Sequence, residues 1–271
     1  MKKHIRVALF SLITLIVAPT TFALEVTGEW QQGAVIIGQV PKGVSVEYNQ
    51  RKLRLTQDGK FVIGLGRDAP ATATIKTFSG GKSESRTFNV KARDYKIQRV
   101  EGVPQATVEP SKEQVERIAR EAALVKKART VDLPLNFFAQ KFQWPLVGPI
   151  SGVYGSQRIY NGVPGTAHVG LDIAKPVGAV VKSPAGGTVT LVHPDMFLSG
   201  GTLIIDHGHG LSSTFIHLSK ILVKTGDKIS QGQKIALVGQ TGRASGPHLH
   251  WAMNWFEERV DPQLLVPPAI P

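Results

Sequence analysis

From residue 24 onward the apolar residues fall into short runs of strand length, broken by Gly, Pro, Asp and Asn at intervals that leave no room for a long helix. One stretch departs from this rule. Over residues 109–130, Val115, Ile118, Ala119, Ala122, Val125 and Ala128 recur at helical spacing. A chain so patterned is confined to a mainly β architecture, with two β regions joined by one helix. It contains no Cys, so disulfides contribute nothing and stability must come from packing, with a metal as the remaining staple.

The first 23 residues read as a targeting segment rather than as fold. Met1-Lys2-Lys3-His4-Ile5-Arg6 is a basic start, residues 7–18 are apolar, and Thr21-Phe22-Ala23 offers small residues before a cut. The apolar run is too short to span a bilayer comfortably, and no later stretch is long enough. The expectation is a signal peptide over 1–23 and an exported mature chain with no integral membrane segment. No Cys follows the apolar run, which argues against a lipid-anchored form. Loss of Lys2, Lys3 and Arg6, with no acid, takes the formal net charge from +12 to +9. A basic exported protein suits polyanionic envelope polymers. No interleaving of aromatic and basic residues argues for nucleic acid.

Residues 24–108 are expected to form a small β-sandwich of Ig-like type with about seven strands. Residues 34–40 and 44–48 flank a Pro41-Lys42-Gly43 turn. Residues 52–55 and 60–65 flank Asp58-Gly59, a hairpin signal, and 71–78 and 85–90 flank Gly80-Gly81. Residues 109–141 form a linker. Within it Ser111-Lys112-Glu113-Gln114 has the form of a capping box opening an amphipathic helix. The helix is expected to pack its apolar stripe on one or both domains, or else to lie as a gate across a groove. Residues 142–271 return to a β pattern with tight turns at Gly226-Asp227 and Gln231-Gly232, an antiparallel β domain with long loops.

That second domain carries the chemistry. In His248-Leu249-His250, the two imidazoles share a face if the segment is a strand, and Leu249 turns into the core. His168 and Asp172 would sit about 13 Å apart on a straight strand. A bend at Gly170 is needed to bring them to one point. His217 is the one polar residue in the apolar run 215–218, and alternation puts it with Phe215 on one face, a candidate groove floor. His207-Gly208-His209 repeats the His-x-His spacing but lies in a glycine-rich reversal, and it is read as a turn. Three nitrogen or oxygen donors that meet in space hold one zinc ion and leave a position open for catalysis. The residues alone offer His168, Asp172, His248 and His250 without ranking them.

The ordered set His168-x-x-x-Asp172, His217-Leu218 and His248-x-His250 resembles the lysostaphin-type, or LytM-domain, zinc metallopeptidases. Gly155-Ser156-Gln157-Arg158, the stretch 172–178, Asp206-His207-Gly208, Thr225-Gly226-Asp227 and the stretch 242–248 also fit. The resemblance covers roughly residues 144–262. It implies a C-terminal antiparallel β LytM-type peptidase domain holding one zinc ion on His168, Asp172 and His250. It makes His217 and His248 the catalytic histidines, with the division of labour between them open. No H-E-x-x-H glutamate is present as an alternative base. Arg158, Tyr160 and Arg243 are candidate substrate contacts. The implied activity is a zinc-dependent endopeptidase acting on peptide cross-links of peptidoglycan, in the first place the D-Ala–diaminopimelate bond. A D,D-carboxypeptidase, a glycyl-glycine endopeptidase or a non-enzymatic activator of other wall hydrolases are the alternatives. The implied location is the periplasm or cell envelope, or outside the cell.

Overall fold

The computed structural model describes residues 23–268. The expected signal peptide falls outside the described residues except for Ala23. No helix among them is long and apolar enough to cross a membrane.

The N-terminal region forms two small sheets. Glu25–Thr27, Val35–Gln39 and Lys60–Gly64 make one, and Arg51–Lys52, Ser45–Tyr48, Thr72–Ser79 and Lys82–Asn89 make the other. Val46, Ala73 and Ile75 are buried with more exposed neighbours on either side, as period-two alternation requires, and Phe61 and Ile63 are fully buried. The Gly80-Gly81 signal does what it predicts. Ser79 pairs with Lys82 across the two glycines, whose φ values of 55° and 75° are those of a primed hairpin turn.

The Asp58-Gly59 signal behaves differently. The turn forms, with the Lys60 amide on Thr56 Oγ1 at 2.7 Å and the Thr56 amide on the Lys60 carbonyl at 2.9 Å. Its flanks do not continue as a hairpin. Arg51–Lys52 stays with Ser45–Tyr48, whereas Lys60–Gly64 crosses to Val35–Gln39. A turn sets only local direction, and burial of Phe61 and Ile63 decides which sheet receives the strand.

The expected break at residue 108 also needs adjusting. Ile97–Val100, inside the first region by sequence, pairs in parallel with Gln157–Tyr160 of the second. The two regions share one continuous apolar core, and Arg93 reaches Asp261 at 2.9 Å.

The C-terminal region is built on a long antiparallel sheet. Its consecutive neighbours include Gly187–Met196, Gly200–Gly208, Leu211–Ile221, His248–Trp255, Leu171–Ala174 and Ile150–Gly152. Gly200–Gly208 is buried throughout, which explains why its sequence shows no polar alternation.

The helix Lys112–Arg129 opens on the expected capping box. Ser111 accepts from the Gln114 amide and the Gln114 side chain accepts from the Ser111 amide at 2.7 Å. Its apolar stripe is not sealed into a core. Val115 is 51% exposed, and Ala128 is the residue of the helix that is buried. Ile118, Ala122 and Val125 instead roof a groove of about 770 Å³ whose floor is the C-terminal sheet. Polar contacts pin the helix there. Arg117 bonds the Asp195 carbonyl at 2.6 Å, and Glu121 accepts from the Phe197 amide at 2.8 Å.

Candidate metal centre and groove

The floor of the groove is formed by two antiparallel strands, Leu211–Ile221 and His248–Trp255, with Leu171–Ala174 beside the second. On His248–Trp255, His248 and His250 face the groove and Leu249 is fully buried behind them, as the strand reading predicts. Asp172 lies directly opposite His250 in the ladder. His168 precedes its strand, and the chain bends at Gly170. The bend brings His168 Nε2 to 3.0 Å from Asp172 Oδ1 and 2.9 Å from His250 Nδ1. His250 Nδ1 is 2.8 Å from the same carboxylate oxygen.

This triangle fits a metal ion by the chemistry of its donors. His168 Nδ1 lies 2.9 Å from the Val153 carbonyl, which fixes its proton there and leaves Nε2 as a lone pair. That lone pair faces a carboxylate oxygen and a second imidazole nitrogen, an arrangement that a cation between them would stabilise. Donors about 2.0–2.1 Å from a tetrahedral zinc lie a little over 3 Å from one another, close to the spacing seen. Burial opposes ionisation of Asp172, but its bonds to His168 and His250 outweigh it and hold the carboxyl well below the ordinary range. Burial lowers His250 to about 4, so its ring is neutral and free to ligate at neutral pH.

His217 reaches the groove by a route its sequence does not show. Alternation would place it with Phe215, but Phe215 is fully buried in the core and Thr214 and Ile216 line the groove. The pairing of Leu211–Ile221 with Gly200–Gly208 shifts register between Leu203–Phe215 and Gly201–Leu218. His217, inside that irregularity, has φ of 62°. A bulge of this kind breaks the period and re-aims one side chain. The His217 ring thereby comes to 4.8 Å from the ring of His248 and 6.2 Å from that of His250. Nδ1 of His217 lies 2.7 Å from the Thr241 carbonyl, and Nδ1 of His248 lies 2.8 Å from that of Gly246. Each ring therefore donates from Nδ1 to a carbonyl and turns Nε2 toward the groove, that of His248 lying 3.7 Å from Asp172 Oδ1. Burial, reinforced by repulsion from His248 and His250, lowers His217 to about 3, so it is neutral at physiological pH.

Arg158, Tyr160 and Arg243 all line the groove, in different circumstances. Arg158 is buried and gives Nη2 to Asp172 Oδ2 at 2.8 Å, so it holds the carboxylate rather than facing open space. Arg243 stacks on the Tyr160 ring at 4.3 Å. Removing the bond that orients a ligating carboxylate typically weakens metal binding about 10–100-fold. Arg158→Ala is therefore expected to raise the dissociation constant for zinc by that factor, measured by competition with a chromophoric chelator. An unchanged constant would show that Asp172 needs no such support.

His207-Gly208-His209 lies away from the groove. His207, next to the end of its strand, is fully buried between the Gly186 carbonyl and Ser213 Oγ, each at 2.7 Å. His209 occupies the turn and bonds the Arg54 carbonyl at 3.0 Å. Beside them Asp206 is buried, and its oxygens make no hydrogen bond of good geometry. Burial, aided by the charge of Asp132, raises its carboxyl to about 7 despite the nearby Gly208 and Leu133 amides. A raised carboxyl favours folding most below its unfolded value of 3.8, and that contribution is lost as pH rises through about 7. Asp206→Asn should therefore gain about 2 kcal/mol more stability, relative to the unaltered chain, at pH 8 than at pH 5. Denaturant titration at both pH values checks this, and an equal effect at each would remove Asp206 as a titrating group.

A mainly β chain with a His-Asp-His donor cluster on a groove floor is of the class that can hold a metal ion. Residues 166–262 match Peptidase family M23, and the chain carries an M23 (LytM-type) domain. Among curated proteins it is similar to the peptidoglycan DD-endopeptidase ShyA of Vibrio cholerae, 44% identical over 88 residues that make up 32% of this chain and 20% of that protein. It is also similar to ShyB of the same organism, 46% identical over 94 residues, 35% of this chain and 22% of that protein. The matched segment thus spans about a fifth of the length of these relatives. A crystal structure of a candidate M23 peptidase from Pseudomonas aeruginosa aligns over 88% of this chain and 95% of its own, with a TM-score of 0.69 and 28% identity.

Some groove residues carry no sequence signal of their role. The carbonyls of Val153, Thr241 and Gly246 orient three histidines but belong to backbone. Arg129 and Arg259 belong to no motif of the sequence, yet both line the groove.

Proposed function

We propose that this chain is a zinc-dependent endopeptidase that hydrolyses peptide cross-links of peptidoglycan, with the D-Ala–diaminopimelate bond as the first candidate. One observation carries the reading: a three-donor cluster of His168, Asp172 and His250 shares a groove with two further histidines, each held through Nδ1 by a backbone carbonyl, with His248 Nε2 3.7 Å from the shared Asp172 oxygen. A structural metal site would close with a fourth protein ligand and would have no use for that pair. The names of ShyA and ShyB support the substrate class. The same relatives support an envelope location, and the reading is of a mature periplasmic chain freed of residues 1–23.

A zinc ion on His168, Asp172 and His250 would polarise the scissile carbonyl and make water acidic enough to react near neutral pH. The chain's own residues do the rest. Arg158 keeps the Asp172 carboxylate aimed at the cluster. Of His217 and His248, one takes a proton from water at Nε2, while the other stabilises the oxyanion or returns a proton to the leaving amine. The groove-facing side chains of the strand floor offer a surface along which an extended peptide can lie.

The test incubates the zinc-loaded chain with cross-linked sacculi, with and without chelator, and follows release of muropeptides. Release that chelator abolishes is expected, and chelator-insensitive release would defeat the metal reading. A second reading, a latent enzyme, is favoured by the helix across the groove. If the helix restrains entry, Arg117→Ala with Glu121→Ala, which cuts its anchors at Asp195 and Phe197, should speed release several-fold. An unchanged rate would show that substrate enters with the helix in place.

A further inference from the structure

Arg129 comes from the last turn of the helix and Arg259 from the strand Glu258–Val260, and both guanidinium groups line the same groove. Both side chains are half-buried. Among the described residues neither has a carboxylate within ion-pair distance; the groove's Glu121 pairs with Arg117 and its Glu257 with Arg51. Arg129 gives Nη2 to Thr214 Oγ1 at 3.2 Å, and its Nε is buried with no partner. Arg259 gives Nη1 to Asn254 Oδ1 at 3.3 Å. Burial and the like charge of Arg259 pull Arg129 well below its ordinary range, and burial brings Arg259 down to about 10. Two partly buried cations that line one groove without a carboxylate partner are costly. An anion between them would remove that cost and would accept their fixed donor forks.

The position of the pair is set by the floor strand. His250, Ala252 and Asn254 all face the groove from one strand. Thr214, which holds Arg129, pairs with Ala252, and Asn254 holds Arg259. The anchors therefore lie two and four residues beyond His250, or about 7 and 13 Å along the strand. An extended peptide advances about 3.3–3.6 Å per residue.

We propose that Arg129 and Arg259 form a carboxylate-binding subsite, which takes an acidic group of the substrate two to four residues from the bond presented to the metal cluster. The helix is then one wall of the binding site. This rests on the peptidase reading for its choice of substrate, and its test reads binding rather than hydrolysis.

The probe is a stem tetrapeptide, L-Ala–D-Glu–diaminopimelate–D-Ala, compared with the same peptide bearing carboxamides in place of its carboxylates. Calorimetric titration of the zinc-loaded full chain is expected to show the acidic peptide binding about tenfold or more tightly. The ratio should collapse toward one in Arg129→Gln and in Arg259→Gln, with the thermal midpoint kept or raised because one of two like charges has gone. Arg99→Gln, another charge lining the groove, should keep the ratio. Equal binding of the two peptides, binding of neither, or an equal loss in Arg99→Gln would each overturn the subsite. A substitution that unfolds the chain would give the pair a structural role and overturn it as well. A chain that discriminates the peptides but releases nothing from sacculi keeps the subsite and loses the peptidase reading, and the opposite result does the reverse.

Discussion

His250→Ala is expected to lose bound zinc and muropeptide release together, whereas His217→Asn should keep the zinc and lose release by about 10²–10⁴-fold. The contrast follows from geometry. His250 Nδ1 is a corner of the donor triangle, 2.8 Å from Asp172 and 2.9 Å from His168. Its removal leaves two donors and an open side. His217 stands next to the triangle without belonging to it, its ring 6.2 Å from that of His250. Asparagine is chosen for position 217 because the residue has φ of 62°, a left-handed conformation that Asn tolerates better than Ala. Metal analysis of the purified variants beside sacculus digestion decides the matter. If His217→Asn also arrives without zinc, His217 is a ligand and the assignment of three donors is wrong. If it releases muropeptides at the unaltered rate, proton transfer falls to His248 alone.

Gly170→Ala should weaken zinc binding by about 10–100-fold and destabilise the chain by about 1–3 kcal/mol, though it alters no polar atom. Gly170 lies between His168 and Asp172, where the bend forms. A Cβ there would meet His250 Nε2 at 2.5 Å, Cε1 at 2.7 Å and the Trp251 carbonyl at 2.8 Å. The ring cannot retreat and still keep its contacts with Asp172 and His168, and the carbonyl belongs to the floor strand. The glycine is therefore needed less for its freedom to bend than for the room it leaves the His250 ring. Chelator competition and thermal denaturation measure the two effects separately. Zinc affinity equal to that of the unaltered chain would show that the His250 ring has slack the distances do not suggest.

Much of the site was legible because its signals are local. The placement of His248 and His250 on one face needed only the strand period, and the demand for a bend at Gly170 needed only a distance. The capping box at Ser111 and the Gly80-Gly81 hairpin follow from the bonding of a few adjacent residues. Where the reading failed, the deciding contact lay far away in the chain. Asp58-Gly59 made its turn, yet burial of the next strand sent it to the other sheet. Residues 97–100 joined a strand some sixty positions later. Arg158 resembled a free substrate contact until the fold set it against Asp172.

The sequence by itself determined which donors exist, their order, and the two β regions with one helix between them, because periodicity, caps and turn chemistry act over a few residues. Tertiary structure alone decided that a bulge parts His217 from Phe215, sending the imidazole to the groove and the phenyl ring to the core. It alone decided that the helix roofs that groove with its apolar stripe, and that Arg129 and Arg259 line it together with no carboxylate partner among the described residues. Each of these depends on ladder register or on burial between segments distant in the chain, and no local pattern encodes either.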